Sequence, residues 1–464
     1  MRDVMKVKTG IDGFDEIAPG LPRGGIVIVS GSPGTGKTSF AASFIYNGIA
    51  KYCEPGVYAS LIEDEGRFYE YMQGFGYDFR ELEKKGLFKY IALPTLLQEG
   101  VSASISMVLE IVESIKARRL VIDSYTALSQ MFRSQAEART FLHTLISRIV
   151  KQLECTTILI KEEQAAEKKE YGFEDFVADA VIHLKTSRLE DKLIRELTIV
   201  KLRGSEVRLP DACFTLHGGF KVIKPLKIEE AKGRYEPPPD PPGGYTTGIP
   251  SLDREIGGLR DGSIILLEVD PKLAPRGEYH LILAPLAVSY VKRGRPCLIV
   301  PSGGVSSKDV REIAFRYGVS EEEYRRLVRV VEVERLRPPV ARDRVALVEQ
   351  FTSLLKSLEK ESGKPPLKLI GMDRAAYLMG EEVLPVIHRA VDELRERGGL
   401  AVWITKPTYP WMTERLAPLA DIHLKIMRKH GGMLLYGIKP RTPLYAVQPD
   451  PTGETLTPEI IPIT

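Results

Sequence analysis

The sequence predicts an α/β protein of two tandem phosphate-loop domains, each a mostly parallel sheet with helices on both faces. Three observations carry that expectation: an internal repeat, short β-branched runs that alternate with helical patterns, and a glycine-rich loop set between a strand and a helix. The 464 residues exceed one ordinary domain and suffice for two or three.

The repeat comes first because it organises the rest. KTGIDGFDEIAPGLPRGGIVIVSG at 8–31 is echoed by TGIPSLDREIGGLRDGSIILLEV at 247–269. Thr9, Gly10, Ile11, Asp15, Gly20, Leu21 and Gly24 return 238 positions later as Thr247, Gly248, Ile249, Asp253, Gly258, Leu259 and Gly262. Lys201-Leu202-Arg203 returns at the same offset as Lys439-Pro440-Arg441. The copies are placed at 1–228 and 246–464, and between them EEAKGRYEPPPDPPGGY (229–245) has the Pro and Gly clusters of a stiff exposed linker.

Within the first copy, Ile26–Ser30, Gly56–Leu61, Leu120–Asp123 and Thr156–Ile160 read as buried strands. Phe141, Leu142, Leu145, Ile146, Ile149, Val150 and Leu153 share one helical face, a core-packing stripe. Composition agrees with a folded chain: 43% hydrophobic and 27% charged residues bury sizeable cores and exclude a disordered or fibrous protein. Sixty-five basic against 62 acidic residues leave +3, too even a balance to argue for nucleic acid or an anionic membrane. No run approaches 18 apolar residues, and MRDVMKVKTG lacks the apolar stretch of a secretory signal. The four cysteines (Cys53, Cys155, Cys213, Cys297) form no CxxC pair. The expectation is a cytoplasmic protein without a membrane partner.

The chemistry lies after the strand IVIVS, where GSPGTGKT precedes a helical SFAASFIYNGIA. This is the phosphate-loop pattern. Gly31, Gly34 and Gly36 turn the backbone so that successive N–H groups of Gly31, Ser32, Pro33, Gly34, Thr35, Gly36, Lys37, Thr38 and Ser39 (Pro33 excepted) can face the phosphate oxygens of a nucleotide. The following helix turns its positive end to the same anion. Lys37 is expected to bridge the β- and γ-phosphates, and Thr38 to ligate Mg²⁺, with Asp123, at the end of LVIDS, orienting the ion. Hydrolysis also needs a carboxylate beside the attacking water, and Glu63, Asp64 and Glu65 after the second strand are the candidates.

GLPRGGIVIVSGSPGTGKT, EPGVY, ARRLVIDSYTAL, EYGFEDFVADAVIHL and TIVKLRG, in this order and spacing, resemble the KaiC-like ATPases of the RecA superfamily, the archaeal type included. The resemblance is close over 5–225 and weaker over 245–450. It implies a homo-oligomeric ring, commonly a hexamer, with ATP between neighbouring subunits and an unidentified protein partner. It also implies that Lys201 and Arg203, in the KLRG segment, reach the neighbour's nucleotide. The family's paired glutamates fall by register on Ile62 and Glu63. The first is usually taken as the base, so isoleucine there points to slow hydrolysis with Glu63 as the remaining base.

The second copy reads VDPKLAPR (269–276) where the first has its phosphate loop, with Pro275 in place of the lysine and Arg276 of the threonine. PSGGVSS (301–307) replaces the acidic segment, while GMDR still offers Asp373 at a strand end. This half is expected to be a pseudo-ATPase without autokinase chemistry. Tyr409 and Trp411 are its candidates for a partner surface.

Three functions follow: a slow, ring-forming ATPase that controls partner contacts, a non-hydrolysing nucleotide sensor, and a RadA-type DNA recombinase. The stretch 162–175, where a recombinase would carry a DNA loop, has six acids against two lysines. That charge repels phosphate and argues against DNA.

Overall fold

The computed structural model describes residues 5–93, 101–130, 132, 134, 139–140, 142–143, 153–163, 172–226, 233–273, 278–332, 344–450 and 454–464. Two compact units emerge: Met1–Lys224 with Pro462–Thr464, and Pro225–Ile461.

The first unit holds a nine-stranded sheet. Its strands are β1 (Ile26–Gly31), β2 (Gly56–Ser60), β3 (Phe88–Ala92), β4 (Arg119–Asp123), β5 (Thr156–Glu162), β6 (Ala180–Leu189), β7 (Lys192–Leu202), β8 (Asp211–Thr215) and β9 (Lys221–Val222). They lie in the order β3-β2-β4-β5-β1-β6-β7-β8-β9. The run from β3 to β6 is parallel, and β6 to β9 are antiparallel. The central strands are apolar on both faces, as a sheet covered on both sides requires. Val27, Val29, Val121 and Ile158 pack under α1 (Lys37–Tyr52) and α2 (Glu65–Gly74), while Ile28, Leu120 and Leu159 join a second cluster on the opposite face. A short helix, α3 (Phe173–Val177), precedes β6.

The second unit has the same plan. Its strands are β10 (Ser263–Val269), β11 (Cys297–Val300), β12 (Val328–Val330), β13 (Leu367–Gly371), β14 (Leu400–Thr405), β15 (Ile422–Lys429), β16 (Gly432–Lys439), β17 (Tyr445–Gln448) and β18 (Glu459–Pro462). Their order, β12-β11-β13-β14-β10-β15-β16-β17-β18, repeats the first sheet strand for strand. The helices α4 (His280–Lys292), α5 (Arg344–Ser362), α6 (Met372–Met379) and α7 (Val383–Arg397) lie in its connections.

The repeated residues explain why both copies begin alike. Lys6–Val7 pairs with Leu21–Pro22, and Gly244–Tyr245 pairs with Leu259–Arg260. Asp15 accepts the Thr9 N–H at 3.0 Å, and Asp253 accepts the Thr247 N–H at 2.8 Å, so one carboxylate closes the same turn twice. Gly10 (φ 71°) and Gly248 (φ 81°) supply the left-handed backbone that turn needs, and Gly20 (φ 103°) and Gly258 (φ 72°) supply it again just before the second strand of each pair.

One sequence expectation falls mostly on undescribed residues, and another changes. The helical stripe of 141–153 lies largely outside the described residues, and of it Leu142 is buried. The described part of the Pro-rich segment, 233–245, is not an exposed spacer: it is built into the second unit. Tyr235 is buried, stacks edge-on against Tyr317 at 5.4 Å, and its hydroxyl meets Ser289 Oγ at 2.6 Å. Asp240 pairs with Arg295 at 2.7 Å and Arg293 at 3.3 Å. These partners lie 53 to 82 residues away in sequence, so composition alone does not reveal them.

Candidate functional site

The loop between β1 and α1 is built by glycines. Gly31 (φ 155°), Gly34 (φ 76°) and Gly36 (φ 94°) all take positive φ, and a Cβ on Gly31 would lie 2.3 Å from the Leu184 carbonyl oxygen. Thr35 Oγ1 donates to the Ser32 carbonyl at 2.8 Å and ties the turn, with Pro33 and Gly34 exposed at its tip. Lys37 opens α1 and is buried. Its ammonium donates to the carbonyls of Gly31 and Ser32, both at 2.9 Å, so it lies across the mouth of its own loop. Burial lowers its pKa, opposed by Glu162, Asp123 and Glu163. Ser39 follows, buried in the first turn of α1.

Beside the loop, Thr38 Oγ1 donates to Asp123 Oδ2 at 2.9 Å, and Tyr58 donates to the same oxygen at 2.6 Å. Asp123 closes β4, and burial raises its carboxyl above the usual aspartate range. A hydroxyl and a carboxylate side by side are hard oxygen donors of the type Mg²⁺ takes, so the residues present fit that ion.

The three acids after β2 separate by role. Asp64 caps α2, accepting the Arg67 N–H at 3.0 Å, and Glu65 is exposed in the first turn. Glu63 is half-buried, and its carboxyl is raised first by burial and then by the Asp123 charge. Its backbone is held at both ends, since its N–H donates to Ser60 Oγ at 3.1 Å and its carbonyl accepts from Tyr90 at 2.7 Å. Ile62 is 67% exposed, with no acid function to offer.

Sequence reasoning missed several neighbours. Tyr58 and Tyr90 stand out in the sequence only as hydroxyls within strand patterns. Glu162 ends β5 and exerts its charge on Lys37 and Asp123, although the sequence reading stopped that strand at Ile160. Arg195, from β7, donates to the Gly34 carbonyl at 3.0 Å.

Lys201 and Arg203 lie elsewhere. Lys201 pairs with Val181 and lies level with Ile28, and Arg203 sits beside Asp179, whose carboxylate accepts the Ile26 N–H at 3.0 Å. This is the edge of the sheet where β1 begins, opposite the edge that delivers Gly31. Lys201 donates to the carbonyls of Asp175 and Phe176, and Arg203 to that of Phe176, so both cap α3. Neither joins the cluster at its own chain's loop.

The family described as "ATPase: KaiC" matches residues 7–227. Over those residues this chain is similar to the KaiC ATPase family. The circadian clock oscillator protein KaiC of Parathermosynechococcus lividus is 34% identical over 270 residues, 56% of this chain and 48% of that protein. KaiC of Synechococcus elongatus is 35% identical over 268 residues, 55% of this chain and 50% of its own. The chain thus spans about half the length of the curated relatives it matches. The solved KaiC-like protein of Pyrococcus horikoshii OT3 is 34% identical, with 47% of this chain and 99% of that chain covered at a TM-score of 0.43.

Against the KaiC-like half, the corresponding edge of the second sheet is differently equipped. β10 runs into a 3₁₀ turn, Pro271–Leu273, and α4 opens on His280, with Pro275 and Arg276 outside the described residues. Burial pushes the His280 imidazole down to about 4, which keeps it neutral. Register places Gly371, not Asp373, opposite the strand position that Asp123 occupies in the first unit. Asp373 lies two residues on, in the first turn of α6, because β13 ends before it. It accepts from Ser302 Oγ at 2.9 Å and from the Gly303 N–H at 2.7 Å, and so binds the very loop that replaces the acidic segment. Tyr409 and Trp411 pack partly buried against the core around Trp403, which explains them as packing residues. No described helix is long and apolar enough to cross a membrane.

One consequence is testable on the protein without nucleotide. Both donors to Asp123 reach one oxygen, which an asparagine amide oxygen can replace. A carboxyl whose folded pKa lies above its unfolded value weakens the fold once pH exceeds that unfolded value. Asp123→Asn is therefore expected to raise the nucleotide-free melting temperature at pH 7 and to remove the Mg²⁺-dependent part of any ATP-induced shift. Differential scanning fluorimetry with and without Mg²⁺ reads both effects. A lowered nucleotide-free melting temperature would show that Asp123 is not a strained group.

Proposed function

We propose that the KaiC-like half binds Mg-ATP and hydrolyses it slowly, in a homo-oligomeric ring whose nucleotide state alters contacts with a protein partner. The carrying observation is the adjacency of Lys37, Thr38 and Asp123, with Thr38 Oγ1 2.9 Å from the carboxylate at the phosphate loop. Gly31, Ser32, Gly34, Thr35, Gly36 and Ser39 would frame the phosphates through backbone N–H groups, with Pro33 at the turn. Lys37 would exchange its loop carbonyls for phosphate oxygens. Bound Mg²⁺, on Thr38 and Asp123, would neutralise charge on the phosphates.

Glu63 is the residue assigned to the attacking water. Its raised carboxyl is a better proton acceptor than a solvated glutamate. The base form is lost as pH falls through the raised value, so the acid limb of turnover should sit above the ordinary glutamate range. The second half, lacking a glycine cradle, is read as a pseudo-ATPase scaffold without autokinase chemistry.

Phosphate release from purified protein in Mg-ATP tests this, with Lys37→Ala and Glu63→Gln alongside. Glu63→Gln is expected to slow release about 10²-fold while leaving ATP bound, the lower end of what general-base removal costs. The exposed Ile62 at the usual base position favours a second reading, a nucleotide sensor without turnover. Release by the unaltered protein no faster than by Lys37→Ala, with ATP bound, would establish that reading instead.

A further inference from the structure

In the second unit a cavity of about 190 Å³ lies between the sheet and the helices α5, α6 and α7. Its wall is apolar, with Phe351, Ile370, Met379, Ile387 and Trp403 prominent, apart from Thr352, Lys368, Arg389 and Glu393. Two cations against one carboxylate leave the lining net positive.

Lys368 is the anomaly. It sits in the middle of β13, between Leu367 and Leu369, and alternation turns it with Ile370 to the face that the cavity occupies. At the same register position in β4 the first unit has Leu120, wholly buried. A lysine at this strand position costs desolvation energy that a leucine does not. Burial holds its ammonium below the usual lysine range, and among the described residues the nearby Glu393 and Glu359 act on it only through space.

We propose that this cavity is a ligand site for an aliphatic monocarboxylate of about eight carbons, its chain against Ile370, Met379 and Trp403 and its carboxylate paired with Lys368. The size follows from volume. An apolar cavity of ~150 Å³ accepts a benzene-sized guest, and this one is somewhat larger. The charge follows from the lining, because an incoming carboxylate can contact directly a half-buried ammonium that Glu393 and Glu359 reach only at a distance. The site is independent of the phosphate loop and goes beyond the nucleotide chemistry proposed above.

Octanoate titrated into the full chain tests it, read by calorimetry and by tryptophan emission. Both tryptophans, Trp403 and Trp411, lie in the second unit, and Trp403 lines the cavity. Saturable binding of one octanoate per chain with a change in emission is expected. Lys368→Met keeps length and apolar contact, so the fold should survive, and it should weaken octanoate at least tenfold while leaving octan-1-ol binding unchanged. Ala390→Phe, which adds a ring at the cavity's exposed lip, should weaken both. Octanoate that fails to saturate, or that binds Lys368→Met or Ala390→Phe as tightly as the unaltered chain, overturns the proposal. The lysine would then be a strand residue whose ammonium simply reaches past the helices to water.

Discussion

Arg203→Ala is expected to lower ATP turnover by about 10³-fold or more without loss of ATP binding, the range found when an arginine supplied from a neighbour is removed. The fold supplies the reason for expecting a neighbour. Arg203 sits at the edge of the sheet where β1 begins, and its own phosphate loop lies at the other edge. A side chain so placed acts on nucleotide only if a second subunit brings its loop to it. Lys201, beside it, holds the α3 carbonyls and is lowered in pKa by burial and by the Arg203 charge. Its role is expected to be the smaller one.

Mixing separates this from a local folding defect. Lys37→Ala chains lack a working loop but keep Arg203, and Arg203→Ala chains have the reverse. In mixed rings some interfaces combine an intact loop with an intact arginine, so turnover should reappear above the sum of the separate preparations. Mixed rings confirmed by native mass spectrometry, with no recovery, would remove the action across an interface.

What was legible in the sequence follows from where its information lies. The phosphate-loop pattern and the apolar run ending in Asp123 are local, a few residues read along the chain, and the fold brings Thr38 Oγ1 to 2.9 Å from the Asp123 carboxylate. The repeat was legible because turns restrict residue choice: Gly20 and Gly258 need left-handed backbone, and Asp15 and Asp253 each close a turn on a threonine. Long-range pairings were not. Tyr235 finds Ser289, and Tyr58 finds Asp123, across 54 and 65 residues, with no sequence signal to couple them. Asp373 misled because an acid after an apolar run looks like a strand end. The strand had stopped two residues earlier, and the carboxylate had turned to a loop instead.

Glu54→Ala should destabilise the first unit by about 3–5 kcal/mol, the cost of leaving a buried charge without its partner. The charge is Arg119, 0% exposed at the start of β4. Its guanidinium donates twice to Glu54 Oε2, at 2.9 and 2.7 Å, to the Phe44 carbonyl at 2.6 Å, and to those of Lys8 and Thr9 at 2.8 and 3.3 Å. It also lies 4.4 Å from the Phe44 ring centroid. Gly48 makes room for it, since a Cβ there would lie 2.1 Å from Nε. Phe44 and Gly48 belong to α1, whose first turn carries Thr38, and Arg119 belongs to β4, whose last residue is Asp123. The buried arginine therefore fastens together the two elements that must bring Thr38 to Asp123. For a unit of this size, 1 kcal/mol moves the melting temperature by roughly 2–4 °C, so a fall of about 6–20 °C is expected. Gly48→Ala should be damaging for the same reason. Arg119→Met with Glu54→Met should cost less than the sum of the two single changes, because neither then leaves an unpaired charge. The Lys8, Thr9 and Phe44 carbonyls would still lose their donor, so full recovery is not expected. Strict additivity in that cycle would show that the pair contributes nothing beyond its separate packing. At temperatures where Glu54→Ala remains folded, its Mg²⁺-dependent ATP binding should already be weaker, the sign that this buried pair positions the site as well as stabilising the fold.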